Sequence, residues 1–238
     1  MDFEGFAEPV SDFIENEGVF VLGRSEWLQR CIDIFKSPEY AANPDHMVVA
    51  AWTNKCVEAV NLIVHNQIYG ADSLPYVVGQ RLVTKRPVKD KNMILLPTSA
   101  ECTVLMATRA LVGQYSAWQL KVLTDENVEL TINTLDMSEL PRFRAYLKML
   151  IDHAMSLPYG TKEKRGAWYA YHQAKDTYAD LEYAYARTAH KLQGSTMENV
   201  GVALPDIENN DDMAERLKCI YTSYTRARKS ILIAGRMP

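Results

Sequence analysis

Two strand-then-helix rhythms open the chain. GVFVL (18–22) is a short β-type run, and Leu28, Cys31, Ile32 and Phe35 follow at helical spacing behind Ser25, which reads as the N-cap. HMVVAAW (46–52) repeats the strand signal; Thr53 and Asn54 supply a turn or cap, and Val57, Val60, Asn61 and Val64 line one helical face. Two such units in succession predict a parallel α/β sheet, because parallel strands need a crossover that a helix supplies.

From about Tyr76 to Leu135 the period changes to two. Trp118, Leu120 and Val122 share one face of a strand, Val128, Leu130 and Ile132 one face of the next, and Asp125, Glu126 and Asn127 read as the hairpin turn between them. Residues 76–136 therefore read as a small antiparallel β insertion, with RPVKDKN (86–92) as a mobile basic loop. Residues 137–180 read as a mainly helical connection: Leu140, Phe143, Leu147, Leu150 and Ile151 give one apolar face, and Pro158 with Gly160 interrupt it. The α/β rhythm returns over 181–238, with a strand at YAYA (183–186), the polar segment TAHKLQGST, a strand at NVGVALP, a helix from about Asp211 to Tyr221 and a last strand at SILIAG. The α/β domain, 1–75 and 181–238, is split around the insertion.

Composition narrows the class. The 238 residues are 47% hydrophobic and 24% charged, as in ordinary globular proteins, and the net charge of −4 argues against bulk electrostatic coating of nucleic acid while leaving room for a local basic groove. No apolar run approaches the roughly 18 residues of a membrane span, and the N-terminus MDFEGFAEPVSDF is acidic where a signal peptide is basic. The expectation is a soluble cytoplasmic protein. Cys31, Cys56, Cys102 and Cys219 contain no CxxC pair and read as reduced and structural; His46, His65, His153 and His172 show no ligand spacing with them, so no metal site is expected. The acidic group Asp206, Glu208, Asp211 and Asp212 reads as solvated. Lys162, Lys164, Arg165, Trp168 and Tyr171 mix cations with aromatics, readable as extra nucleic-acid contact or as a solvated helix face.

Two segments carry chemistry. In the first, Tyr185 to Thr196, a strand end is followed by Thr188, His190, Lys191, Gln193, Gly194 and Ser195. At the C-terminal edge of a parallel sheet such groups face the crevice where α/β folds bind ligands, and Gly194 with Ser195 lets backbone amides approach an anion. A polar connecting loop is the equal alternative. In the second, Cys219 to Lys229, a helix ends in three cations, Arg226, Arg228 and Lys229. These either complement the helix dipole or offer a bidentate guanidinium to a triphosphate.

In this order the two segments resemble motifs V and VI of superfamily 1 helicases of the RecD-like and bacteriophage Dda-like branch: T-x-H-K-x-Q-G-[ST] at Thr188 to Ser195, and T-R-[AG]-[RK] at Thr225 to Arg228. Thr53-Asn54 with Val57 and Asn61 resembles the family's T-N-x-x-V-x-x-x-N segment of motif IV. The resemblance implies a RecA-like parallel sheet with helices on both faces, interrupted by an SH3-like β insertion. It implies the C-terminal motor half of an ATP-dependent DNA helicase, of the kind used in DNA repair or recombination. Arg226 is then the arginine finger that reaches the γ-phosphate; Gln193, Gly194 and Ser195 couple DNA to nucleotide; Thr53, Asn54, Thr188, His190 and Lys191 hold single-stranded DNA. Many relatives carry a glutamate where Thr196 stands, so no carboxylate contact to the ribose is expected. The sequence shows neither a GxxxxGK[ST] phosphate loop nor a strand ending in a DE pair that could hold magnesium and a water. ATP and Mg are accordingly expected to be bound mainly by an N-terminal RecA-like domain absent from this chain, supplied in cis or in trans. The alternative is a stand-alone, non-catalytic module that binds nucleic acid or a partner protein.

Overall fold

The computed structural model describes residues 9–15, 17–90 and 93–235. The chain divides into two compact units, residues 1–73 with 183–238, and residues 74–182.

The first unit begins with β1 (Asp12–Ile14), β2 (Glu17–Leu22), α1 (Arg24–Phe35), α2 (Pro38–Ala42), β3 (Met47–Ala51) and α3 (Asn54–Tyr69). The second holds β4 (Arg81–Thr84), β5 (Val88–Asp90), β6 (Met93–Leu96), β7 (Glu101–Val112), β8 (Tyr115–Thr124), β9 (Glu129–Leu135), α4 (Leu140–Ser156) and α5 (Lys162–Asp176), and β10 (Leu181–Tyr183) crosses the sequence boundary. The first unit is completed by β11 (Ala186–Thr188), β12 (Met197–Val202), α6 (Leu204–Glu208), α7 (Met213–Tyr224) and β13 (Ala227–Ala234).

The first unit's sheet runs β1-β2-β13-β12-β3-β11, and every pairing except β1 with β2 is parallel. β3 is buried at all five positions because both its faces are covered. Val49 and Ala51 pack with Trp27, Cys31, Phe35, Val57 and Val64 from α1 and α3. Val48 and Ala50 pack with Leu192, Leu204, Ile207 and Cys219 on the opposite face. The expected α/β class, a parallel sheet with helices on both faces, is thus present.

Thr53 caps α3 as the sequence predicts, its hydroxyl accepting from the Cys56 N–H. Ser25 does not cap α1. The helix starts at Arg24 behind Gly23, whose carbonyl accepts from the Trp27 N–H, and the buried Trp27 indole donates to the Leu232 carbonyl at 2.9 Å. That anchor on β13 sets the helix start earlier than the hydroxyl would. YAYA is likewise not one strand: the chain leaves one sheet at Tyr183 and enters the other at Ala186, with the Tyr185 carbonyl accepting from the Val49 N–H between them.

In the second unit the five-stranded sheet runs β10-β4-β7-β8-β9, and β4, β7, β8 and β9 pair antiparallel. Asn127, at φ 60, makes the turn between β8 and β9. The far edge returns to the start: Ala179, just before β10, bridges Thr134 of β9 and donates to the Asn133 carbonyl at 2.6 Å. The helical stretch belongs to this unit, since Phe143 packs with Tyr115 and Tyr178, and the Tyr178 hydroxyl donates to the Val112 carbonyl. The segment read as a mobile basic loop is a hairpin arm in its described part. Val88 is buried and β5 pairs with β6, while Arg86 is held by Asp176, Asp180 and the Tyr178 carbonyl; Lys91 and Asn92 lie outside the described residues.

Candidate nucleic-acid and nucleotide site

The parallel register decides which motif residues meet. Thr188 ends β11 beside Ala51 of β3, and Val202 of β12 pairs Ala50, so the ends of β3, β11 and β12 share the C-terminal edge of the sheet. That edge carries Trp52-Thr53-Asn54, Thr188 and Asp206. Thr188 is only 9% exposed and makes no capping hydrogen bond to the 3-10 turn that follows it, residues Ala189–Leu192. Its hydroxyl makes no hydrogen bond among the described residues, so its proton is not committed to a neighbour. Asn54 is exposed at the first turn of α3.

β11 is the outermost strand of the sheet, and Asn61 of α3 completes its pairing. The Ala186 N–H donates to Asn61 Oδ1 at 2.8 Å, and Asn61 Nδ2 donates to the Ala186 carbonyl at 3.3 Å. The last residue of the motif IV pattern thus clamps the strand that presents Thr188. Sequence reading placed Asn61 on a helical face and in the motif IV pattern, without the strand it serves.

Thr53 is less free than expected. Its hydroxyl donates to Asp206 Oδ1 at 2.7 Å, and Asp206 Oδ2 accepts from the N–H groups of Trp52 and Thr53 at 2.7 and 2.8 Å. With its proton committed to a carboxylate, the Thr53 hydroxyl does not donate to a phosphate in this conformation. Asp206 is correspondingly not merely solvated. It orients the turn that displays Asn54, and sequence reading missed it because no local signal links residues 153 positions apart. Burial, and then the Asp206 carboxylate, pushes the neighbouring Cys56 thiol up to about 11. Asp206→Ala is expected to lower stability by about 1.5–3 kcal/mol, the range for hydrogen bonds to a charged group, and to speed Cys56 alkylation. A denaturant midpoint and a thiol-labelling rate equal to the parent's would contradict this.

His190 and Lys191 lie in the 3-10 turn. His190 is exposed, with Nε2 at 3.4 Å from Glu215 Oε1 of α7. The turn then leads to the opposite, N-terminal edge of the sheet, where β12 and β13 begin in register, Met197 beside Ala227. Gln193 and Gly194 are exposed, and Gly194 sits at φ 91, a conformation that favours glycine. The expectation that Ser195 offers its amide to an anion is corrected: that N–H donates to the Leu192 carbonyl at 3.0 Å. The residues expected to hold DNA and those expected to hold nucleotide thus occupy different edges of one sheet.

Arg226 immediately precedes β13. Its Nη1 donates to the Ser195 carbonyl at 3.2 Å and its Nη2 to Thr225 Oγ1 at 3.0 Å, while Nε is buried without a partner. The other two cations of the motif are occupied elsewhere. Arg228 and Lys229 both face Glu198 of β12, at 3.8 and 2.7 Å. The Lys229 hydrogen bond, with the charges of Lys229 and Arg228, holds the Glu198 carboxyl below the usual carboxylate range. A group with a lowered folded-state pKa stabilises fully above its unfolded value and loses that contribution as pH falls through the folded one. Glu198→Gln is therefore expected to flatten the acid limb of the stability curve below about pH 4.5, more visibly at low salt. Superimposable parent and variant melting curves down to acid pH would refute it.

On the second unit, Lys164 Nζ donates to the Leu157 carbonyl, closing the end of α4, and Trp168 lies 5.7 Å from Tyr171, ring to ring. Lys164 is therefore a structural cation, which leaves Lys162 and Arg165 as the exposed cations of that cluster.

The fold defines the class: a parallel α/β unit with polar groups at both strand ends, split in sequence around a β-rich unit. Residues 183–234 match the UvrD-like helicase C-terminal domain. The ATP-dependent DNA helicase dda of Enterobacteria phage T4 is 25% identical over 206 residues, covering 77% of this chain and 46% of that protein. Uncharacterized protein R530 of Acanthamoeba polyphaga mimivirus is 31% identical over 121 residues, covering 48% of this chain and 24% of the relative. The chain therefore spans less than half the length of these curated relatives. Among solved structures, the Pif1 helicase from Candida albicans aligns with TM-score 0.43 and 12% identity over 88% of this chain and 53% of its own. Pif1 from Bacteroides, in complex with ADP-AlF3 and ssDNA, aligns with TM-score 0.44 and 11% identity over 90% and 46%. The sequence matches support a C-terminal part of a superfamily 1 helicase, related to the DNA helicase of phage T4.

Proposed function

We propose that this chain is the C-terminal motor half of an ATP-dependent DNA helicase, which grips single-stranded DNA and presents an arginine finger to ATP held by an N-terminal RecA-like domain. The observation that carries the reading is the uncommitted Thr188 hydroxyl, set at the same sheet edge as exposed Asn54. Hydroxyl and amide donors at strand ends suit phosphate oxygens of a nucleic-acid backbone. His190 and Lys191, on the turn just beyond, extend that donor set, and Asp206 and Asn61 hold it in place.

ATP supplies the phosphoryl group whose transfer drives the motor. The residues present fit its γ-phosphate end in one respect: Arg226 keeps a buried, unpartnered Nε beside two weakly tethered guanidinium nitrogens. Gln193 and Gly194 adjoin the Ser195 carbonyl that tethers it, so a change in that loop and a change in Arg226 are mechanically linked. The β insertion, closed by the bridge between Thr134 and Ala179, is compatible with an SH3-like barrel.

The test of the grip is binding of a labelled single-stranded oligonucleotide by the chain. Expected is salt-sensitive affinity, with log K falling linearly against log salt, and a loss of roughly 2–10-fold in Thr188→Ala and in His190→Ala, one hydrogen bond's worth each. No affinity at low salt, or full affinity in both variants, would remove the gripping role.

A further inference from the structure

His190, from the turn after β11, meets Glu215 and Cys219 where that turn packs on α7. Glu215 and Cys219 stand one helical turn apart on the same face of α7. His190 Nε2 faces Glu215 Oε1 at 3.4 Å, and one ligand atom from each of the three residues lies within 4.8 Å of the other two. Zinc bonds of about 2.0–2.3 Å place tetrahedral ligand atoms roughly 3.3–3.8 Å from one another, so side-chain adjustments of less than about an ångström per group would close the set.

We propose that these three residues bind a divalent cation of the zinc class. One imidazole, one carboxylate and one thiolate form a borderline-soft donor set of the type zinc and cobalt prefer over magnesium or calcium. Cys219 gives its proton to solvent on ligation, and its thiolate with the Glu215 carboxylate then neutralises the two charges of the ion. Cys219 forms the buried floor, while the His190 and Glu215 side chains, 58% and 40% exposed, form a rim open to an entering ion and to a water in the fourth position. Cys56 has a carboxylate beside it too, but both Asp206 oxygens there are committed to Trp52 and Thr53. His190 Nε2 cannot ligate an ion and contact DNA at once. On the strand-gripping reading above, metal binding is therefore a brake on the grip.

The probe is cobalt(II), titrated into the reduced full-length chain. Expected are thiolate-to-cobalt charge transfer in the near ultraviolet and tetrahedral d–d bands in the visible, saturating at one equivalent and bleached by zinc. Cys219→Ser loses the charge-transfer band. Glu215→Gln and His190→Gln weaken binding by at least about tenfold; both are surface changes, so they decide the matter should Cys219→Ser fail to fold. No near-ultraviolet band, a band that persists in Cys219→Ser, or unchanged affinity in both surface variants would overturn the site. One equivalent of zinc should weaken oligonucleotide binding by the parent about as much as His190→Ala does, and leave Glu215→Gln unaffected. Cobalt binding without loss of strand affinity would keep the metal site and overturn the brake.

Discussion

Arg226→Ala in the complete motor is expected to lower the turnover of ATP hydrolysis by about 10³–10⁵-fold, the range associated with an arginine finger, and to leave single-strand affinity nearly unchanged. The expectation rests on how the three motif VI cations are shared out. Arg228 and Lys229 are drawn to Glu198, so neither substitutes for the missing guanidinium. Arg226 is tethered only to a carbonyl and a hydroxyl, with its Nε unpartnered, and a dianionic oxygen cluster is a better acceptor than either. Arg226→Lys should rescue little, because a single ammonium cannot span two phosphoryl oxygens as the planar fork does. Strand affinity is spared because Thr188 and Asn54 lie at the other edge of the sheet. Steady-state hydrolysis with saturating oligonucleotide, beside oligonucleotide binding, separates the two. Equal hydrolysis rates in variant and parent would show that Arg226 only holds the Ser195 loop.

What the sequence made legible was what repeats locally. The strands and the apolar faces of α1 and α3 follow from period 2 and period 3.6 patterns that each element writes for itself. The Thr53 cap is equally local, as is the turn at Asn127. The motif strings located Thr188, His190 and Arg226 without saying what surrounds them. Asp206, Glu198 and Glu215 carry no such signature, because each meets a residue brought alongside only by the tertiary fold. β12 lies between β3 and β13, so the end of β12 delivers Asp206 to Thr53, and its start delivers Glu198 to Lys229. The same cause explains the expectations that failed. YAYA has the composition of one strand, but Tyr183 and Ala186 belong to different sheets. Ser25 has the chemistry of a cap, but the tertiary bond from Trp27 to Leu232 sets the helix start.

Asn61→Leu is expected to cost the first unit at least about 2 kcal/mol, since it leaves two buried backbone groups unsatisfied at about 1–3 kcal/mol each. Ala186 is fully buried, and as β11 has no neighbour beyond it, no second strand can take over the Ala186 N–H and carbonyl that Asn61 now serves. Leucine matches asparagine in volume closely enough to keep α3 packed, so the loss reports the missing pairing and not a cavity. The effect should be local in origin: amide exchange across Ala186–Thr188 accelerates, while the β-rich unit, residues 74–182, keeps the parent's rates. Thr188 is two residues along the loosened strand, so oligonucleotide affinity falls although no strand-contacting side chain has changed. Asn61→Asp divides the effect further, for it keeps the acceptor for the Ala186 N–H, loses the donor to the carbonyl and buries a charge. If Asn61→Leu instead exchanged and bound like the parent, β11 would be held by its pairing with β3 alone, and the asparagine of motif IV would have no part in positioning Thr188.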